Sequence, residues 1–210
     1  MPYSLEVYDE HFFSNNQAEG LRHAEWFMPL LEGLFHFKSL VDVGCGTGHF
    51  VKWCDDHGIE ATGVEGSDAG IKNAICKSIL QFDLRAPTLV RGKVKGADIA
   101  LCIEVAEHIE EEHVNIFVDT LCSLSDTIVM TAAPPGQGGE HHVNEKPQEY
   151  WQSLMALRGF GFDFAKTTAL KEGVMAARTN GFHVATWLPG NLMCYRKATA
   201  AAAAEPQAQP

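Results

Sequence analysis

Apolar side chains recur at Leu21, Ala24, Met28, Leu31 and Phe35, in steps of three and four that put them on one face of a helix over 18–35, with Pro29 as a kink or restart. From Ser39 the pattern changes to short apolar runs alternating with helical stretches. Leu40-Val41-Asp42-Val43 predicts a strand, 48–57 a helix closed by Gly58, and 61–64 a second strand. A helix after Ser67, carrying Ile71, Ala74 and Ile75, precedes strands over 79–84 and 98–103. Val114, Phe117, Val118, Leu121 and Cys122 mark a helix whose first turn is acidic at Glu110-Glu111-Glu112, and a strand over 127–131 follows. Pro147 suits a first helical turn, Trp151, Leu154 and Met155 supply a buried stripe, and Gly159 ends it. A helix over 168–178 and a last strand over 192–195, suited to an antiparallel edge, complete the pattern. Such crossovers require parallel strands, so the expected fold is a doubly wound α/β sheet.

Composition narrows the partners. A chain of 210 residues, 46% of them hydrophobic, suits one domain, and at this size folding buries roughly 70% of the surface the unfolded chain exposes. The 27 acidic against 16 basic residues leave a net charge of −11, which repels a polyphosphate backbone. The short Arg91-Gly92-Lys93-Val94-Lys95 turn is the one basic cluster, so nucleic acid is a poor first expectation. Six cysteines lie mostly among aliphatic residues with no Cys-x-x-Cys pair, the pattern of small hydrophobes rather than disulfides or a zinc site. With no long apolar run and no basic, apolar leader after Met1, a cytoplasmic protein is expected. Residues 198–210, rich in Ala, Pro and Gln, are expected to be disordered.

In an open parallel sheet the ligand binds beyond the carboxyl ends of the strands, which directs attention to the turns. In Asp42-Val43-Gly44-Cys45-Gly46-Thr47-Gly48-His49, glycines at alternate positions let the backbone turn tightly and approach a ligand closely. A dinucleotide fingerprint needs a glycine or alanine at position 49. His49 there, with Gly48 before it, favours a smaller, uncharged linker between adenosine and its tail. No Gly-Lys-Ser/Thr closes a P-loop. Glu65, 21 residues after Gly44, ends the second strand, where an acid accepts both hydroxyls of a ribose. Asp83 follows the third strand and suits an exocyclic amine such as adenine N6, or else simply starts a turn. The fourth strand opens into Glu104-Val105-Ala106-Glu107-His108, so four acidic turn positions face one cleft.

These segments, Val41 to Gly48, Glu65, Asp83 and Glu104 to His108, resemble the successive motifs of class I S-adenosylmethionine-dependent methyltransferases over residues 39–133. The resemblance implies a seven-stranded sheet of order 3-2-1-4-5-7-6 with strand seven antiparallel, S-adenosyl-L-methionine as cofactor, and cofactor contacts from Asp42, Gly44, Cys45, Gly46, Gly48, Glu65, Asp83 and Glu104. Asp42 would lie near the methionine ammonium, and the segment from Tyr8 to Phe13 would pack over the cofactor as a lid. A single domain over 1–197 would then divide into an N-terminal lid and helix (1–38), a cofactor-binding half (39–133) and an acceptor-side half (134–197).

The loop from Ala133 to Glu145 follows strand five, where similar enzymes receive their acceptor. Its Gly-Gly-Glu-His-His-Val-Asn run, followed by Pro147 and Glu149-Tyr150-Trp151, resembles a small-molecule branch, some of whose members act on sugars or other metabolites. The helical segment before the last strand departs from the family and leaves the acceptor unassigned.

In-line transfer from a sulfonium mainly requires the acceptor atom to be held near ~3–3.5 Å from the methyl. A hydroxyl acceptor also needs a base, for which His141, His142 and His108 are candidates. Against those roles stands a plainer reading, in which His108 caps or packs the helix near Glu110 and His141 and His142 are exposed loop residues. Adjacent His141 and His142 with Glu140 or Glu145 converge poorly on one ion, so no metal is expected. Two other readings compete: a nicotinamide-dependent oxidoreductase, which His49 opposes, and a non-catalytic cofactor-binding partner subunit.

Overall fold

A computed structural model describes residues 9–86, 94 and 96–198, with the side chains of 14–16 excepted. Tyr8, most of the basic turn at 91–95 and the tail from 199 onward lie outside the described residues.

The helix expected over 18–35 is longer: α1 spans Glu10–Phe35, and Asp9 caps it by accepting the Phe12 N–H at 2.9 Å. It continues through Pro29 without a restart, held by Phe27, Met28 and Leu31, which are completely buried. Three strands then alternate with helices, β1 (Ser39–Val43), α2 (His49–His57), β2 (Glu60–Glu65), α3 (Asp68–Lys72) and β3 (Ile79–Gln81), and β4 (Ile99–Cys102) follows. The helix α4 (Val114–Leu124) leads to β5 (Thr127–Thr131), and α5 (Gln148–Ala156), β6 (Phe160–Phe162), α6 (Phe164–Thr179), α7 (Leu188–Asn191) and β7 (Leu192–Lys197) complete the chain.

The seven strands form one sheet of order β3-β2-β1-β4-β5-β7-β6, as the family resemblance implied. The strands β1 to β5 pair in parallel, while β7 is antiparallel to both β5 and β6. Strand alternation divides the core into two layers. In β4, Ala100 and Cys102 join Phe117, Leu121 and Trp151 on one face, while Ile99 and Leu101 join Phe27, Leu31 and Leu170 on the other. A four-residue strand buried at every position is what helices on both faces demand. No helix among the described residues is long and apolar enough to cross a membrane.

Several boundaries differ from expectation. Glu110 to Glu112 do not open α4: a 3-10 turn over Glu111–His113 precedes it, because Glu110 faces Arg85 at 3.6 Å and Lys146 pairs with Glu111 at 2.9 Å. The helix after Gly159 starts at Phe164, where Asp163 accepts the Lys166 N–H. The last strand is internal rather than an edge. Leu192, Met193, Cys194 and Tyr195 are all buried because β6, too short for any periodicity to register, pairs on its outer side.

Candidate active site

The glycine turn after β1 is stitched to β2 by two amides: the N–H groups of Gly44 and Cys45 both donate to the Val64 carbonyl, at 2.8 and 3.1 Å. Gly44 and Gly48 adopt φ of +74° and +84°, a region where a side chain is strained. A Cβ at Gly44 would stand 2.4 Å from Val105 Cγ2, and one at Gly48 2.4 Å from Cys76 Sγ. His49 opens α2, and its ring fills the space over Gly20 of α1, where a Cβ would come within 2.4 Å of the imidazole. Position 49 therefore joins two helices.

Each acidic turn position has its own environment. Asp42 is buried and its Oδ2 lacks a hydrogen-bond partner among the described residues; burial, then the charge of Glu65, pushes its pKa up to about 8. Glu65 is nearly as buried, but its Oε2 accepts the Gly46 N–H at 2.8 Å and its Oε1 the Ser67 N–H at 2.7 Å. Burial raises its pKa and those N–H bonds oppose the rise. Asp83 is gripped by Arg85, whose Nε and Nη2 donate to its two oxygens at 2.9 Å each, holding the carboxyl below its usual range.

Glu104 sits at φ +58°. Its N–H donates to Thr131 Oγ1 at 2.8 Å, and the Thr131 hydroxyl donates back to Glu104 Oε1 at 2.9 Å, so β5 fixes the residue that ends β4. Burial raises its pKa. The Glu107 side chain beside it is fully buried, its carboxyl facing that of Glu104 with no donor to either oxygen among the described residues; burial, then the charge of Glu104, lifts its pKa to about 8.

The loop after β5 folds back onto this corner. Val143 and Asn144 donate their N–H groups to the Glu107 carbonyl at 3.0 Å. His108 Nδ1 lies 3.1 Å from the His141 carbonyl, and its ring meets that of His142 edge to face at 5.1 Å. Burial lowers the His108 pKa to about 4. His142 Nδ1 lies 2.9 Å from Glu145 Oε1, and Glu145 accepts the N–H groups of Gly136 and Gly138 at 2.7 Å. Of the three candidate histidines, His108 and His142 converge. The His141 ring stays about one-third exposed near Glu140.

Two cavities of about 320 Å³ each flank the glycine turn. One is lined by Glu65, Phe82, Asp83, His108 and His142, the other by Asp42, Cys45, Thr47, His49 and Trp187, and both by Gly44, Gly46, Glu104, Phe12 and Phe13. The donor set suits an adenosine linked to a cationic amino acid: an unpartnered buried carboxylate at Asp42, a backbone cradle that any Cβ would fill, and the acid Glu65 at the second strand end.

Sheet order, glycine turn and strand-end acids together define a class I methyltransferase fold. Residues 16–160 match the family described as a methyltransferase domain, and the chain belongs to that family. It is therefore an S-adenosylmethionine-dependent methyltransferase, which decides against the nicotinamide reading. No match was found among curated protein sequences. Solved structures share the fold at low identity. The sugar N-methyltransferase KedS8 from Streptoalloteichus sp. ATCC 53650 is 15% identical at a TM-score of 0.63, covering 90% of this chain and 92% of its own. The methyltransferase domain of bacterial CtHen1-C is 16% identical at 0.59, covering 85% and 100%. Magnesium protoporphyrin IX methyltransferase from Synechocystis PCC 6803, with bound S-adenosylmethionine, is 14% identical at 0.56, covering 89% and 84%.

Sequence reasoning missed Thr131, placed Glu107 only as one of the acidic turn positions, and weighed Glu145 only as a metal ligand. Glu107 carried a signal, since it stands three positions after Glu104 and next to His108. Thr131 carried none, because its partner Glu104 lies 27 positions away.

Proposed function

We propose that this enzyme methylates a hydroxyl of a small or medium-sized metabolite, with sugar-containing acceptors the first to test. The observation that carries this is the buried corner of Glu104, His108 and His142, which opens on the same cavity as Gly44 and Glu65. An amine acceptor needs only a desolvated lone pair, whereas a hydroxyl must also lose its proton, so imidazoles at this corner favour oxygen. The net charge of −11 disfavours a polyphosphate acceptor. Likeness in fold to a sugar N-methyltransferase supports a sugar-sized acceptor.

The bound cofactor supplies an electrophilic sulfonium methyl, and the chain's residues do the positioning. Asp42 takes the ammonium of the methionine moiety, and Glu65 accepts from the ribose hydroxyls with the lone pairs its two amide bonds leave. Asp83 retains acceptor capacity beside its Arg85 contacts, because a carboxylate offers about four lone-pair sites, and it accepts from the adenine amine. Gly44, Cys45, Gly46 and Gly48 supply backbone close enough to pack on the ligand. Phe12 and Phe13, lining both cavities, exclude water as the lid of the N-terminal segment. His108 and His142 orient the acceptor hydroxyl in line with the methyl, and the hydroxyl proton passes to His142 as the methyl moves from sulfur to oxygen.

A panel of paired hydroxyl and amino sugars, incubated with isotopically labelled cofactor, tests the reading. Label is expected on oxygen. Transfer to the amino member of each pair with none to the hydroxyl member would overturn it.

A further inference from the structure

We propose that Glu107, His108 and His142 form a binding site for one divalent transition-metal cation at the acceptor end of the cleft, an inference that deepens the reading of that corner given above. One ligand atom from each of the three lies within 4.8 Å of the others. A cation with bonds of ~2.1 Å holds neighbouring ligand atoms roughly 3–4 Å apart, so small side-chain rotations close the set.

Three independent features point to a cation. Glu107 is fully buried, and its carboxyl meets no hydrogen-bond donor among the described residues, only the facing carboxyl of Glu104. A carboxylate placed so is costly unless a positive charge compensates it. The rings are also aimed. Nδ1 of His108 lies on the His141 carbonyl and Nδ1 of His142 on Glu145, which places each proton on Nδ1 and leaves Nε2 as the atom we assign to the cation. Glu145 is itself pinned by the amides of Gly136 and Gly138, so the outer contacts are as ordered as the inner ones. Finally, Glu104 and Glu107 put two carboxyl groups beside two imidazoles, a charge that one divalent ion balances. Two nitrogens and carboxylate oxygen, with no thiolate, suit Mn(II), Fe(II), Co(II) or Zn(II). The site differs from the pairing of His141 with His142 weighed on sequence spacing, since the 3-10 turn carrying His108 replaces His141.

Because the site opens on the cavity shared with Gly44 and Glu65, the cation, held by both imidazoles, would take over from them the placing of an acceptor oxygen and the lowering of its proton's pKa. The test uses tag-free full-length protein stripped with chelator and titrated with Mn(II), followed by paramagnetic resonance and calorimetry without cofactor or acceptor. One saturable site per chain is expected, weakened at least about tenfold in His142→Ala and in Glu107→Gln, each shown folded by circular dichroism and by saturable binding of S-adenosylhomocysteine. Absence of a saturable site, or a site that folded His142→Ala leaves intact, would overturn the proposal. If Glu107→Gln does not fold, His142→Ala alone decides. Failure here leaves hydroxyl methylation standing, whereas Mn(II) binding accompanied by methylation of amines alone removes that assignment and keeps the cation site.

Discussion

Glu65, at the carboxyl end of β2, accepts the N–H of Gly46 at 2.8 Å across 19 positions of chain. Its other oxygen takes the N–H of Ser67, whose hydroxyl in turn accepts from Ala69 and Gly70 to start α3. One side chain therefore shapes the glycine turn and anchors the next helix while standing at the strand end proposed to hold a ribose.

This double duty separates two substitutions. Glu65→Ala leaves two buried amides without an acceptor and should cost about 1–3 kcal/mol of stability, together with at least a tenfold loss (about 1.4 kcal/mol) of S-adenosylhomocysteine affinity. Glu65→Gln keeps one acceptor oxygen and should lose less stability while still weakening binding. Calorimetry alongside thermal melts checks both; an affinity unchanged in Glu65→Ala would remove the ribose role.

Gly48 is confined by two different effects that a double mutant pulls apart. Gly48→Ala places a Cβ against Cys76 Sγ and also strains a backbone at φ +84°. The strain alone is worth roughly 1–2 kcal/mol. Cys76→Ala in the same chain should recover the steric part and leave the strain. Denaturant titrations of the two single variants and the double variant measure the recovery, and simple additivity would show that the thiol does not limit position 48.

Asp42 predicts a pH dependence with a defined sign. Its carboxyl is raised from 3.8 to about 8 by burial and by Glu65, with the thiols of Cys45, Cys54, Cys76 and Cys102 also close enough to feel its charge. Between those values the folded chain holds a proton that the unfolded chain has released, so this group lowers stability as pH rises through the window. A ligand ammonium favours the carboxylate. Affinity for S-adenosylhomocysteine should therefore rise from about pH 6 to about pH 8, with proton release visible as a buffer-dependent binding enthalpy. Asp42→Asn should flatten the affinity profile, remove the release, and melt higher than the parent at alkaline pH without ligand. A buffer-independent enthalpy in the parent chain would refute the assignment.

The loop after β5 depends on one carboxylate. Glu145→Ala removes the acceptor for Gly136, Gly138 and His142 together, and faster amide exchange is expected at 136–142 with little change in the sheet. Acceptor KM should rise more than cofactor affinity falls. The His141 ring lines neither cavity, so His141→Ala should retain most turnover while His142→Ala loses at least about tenfold. Equal losses from the two would mean that His141 works in the cleft.

Strand and helix periods, the glycine run and the acids at successive strand ends were legible as text, and the sheet order agreed with the family resemblance. These are local signals: a β1 that alternates faces, a turn that only glycine can make, and an acid one residue from a strand end all follow from a few neighbouring residues. The short β6 escaped because three residues carry no period, and so β7 read as an edge. The acidic run at 110–112 read as a helix start because Arg85 and Lys146, which hold Glu110 and Glu111, are remote in sequence.

The chain alone was enough for the class of fold and the cofactor, because the resemblance that implies both is carried by motifs each held within one turn or one strand. Which histidines converge, which carboxylates are buried without partners, and where α1 places Phe12 and Phe13 were settled only by folding. Those relations join segments far apart in the chain, and the environment that gives Asp42 or Glu107 its chemistry does not exist until the sheet and its loops close around it.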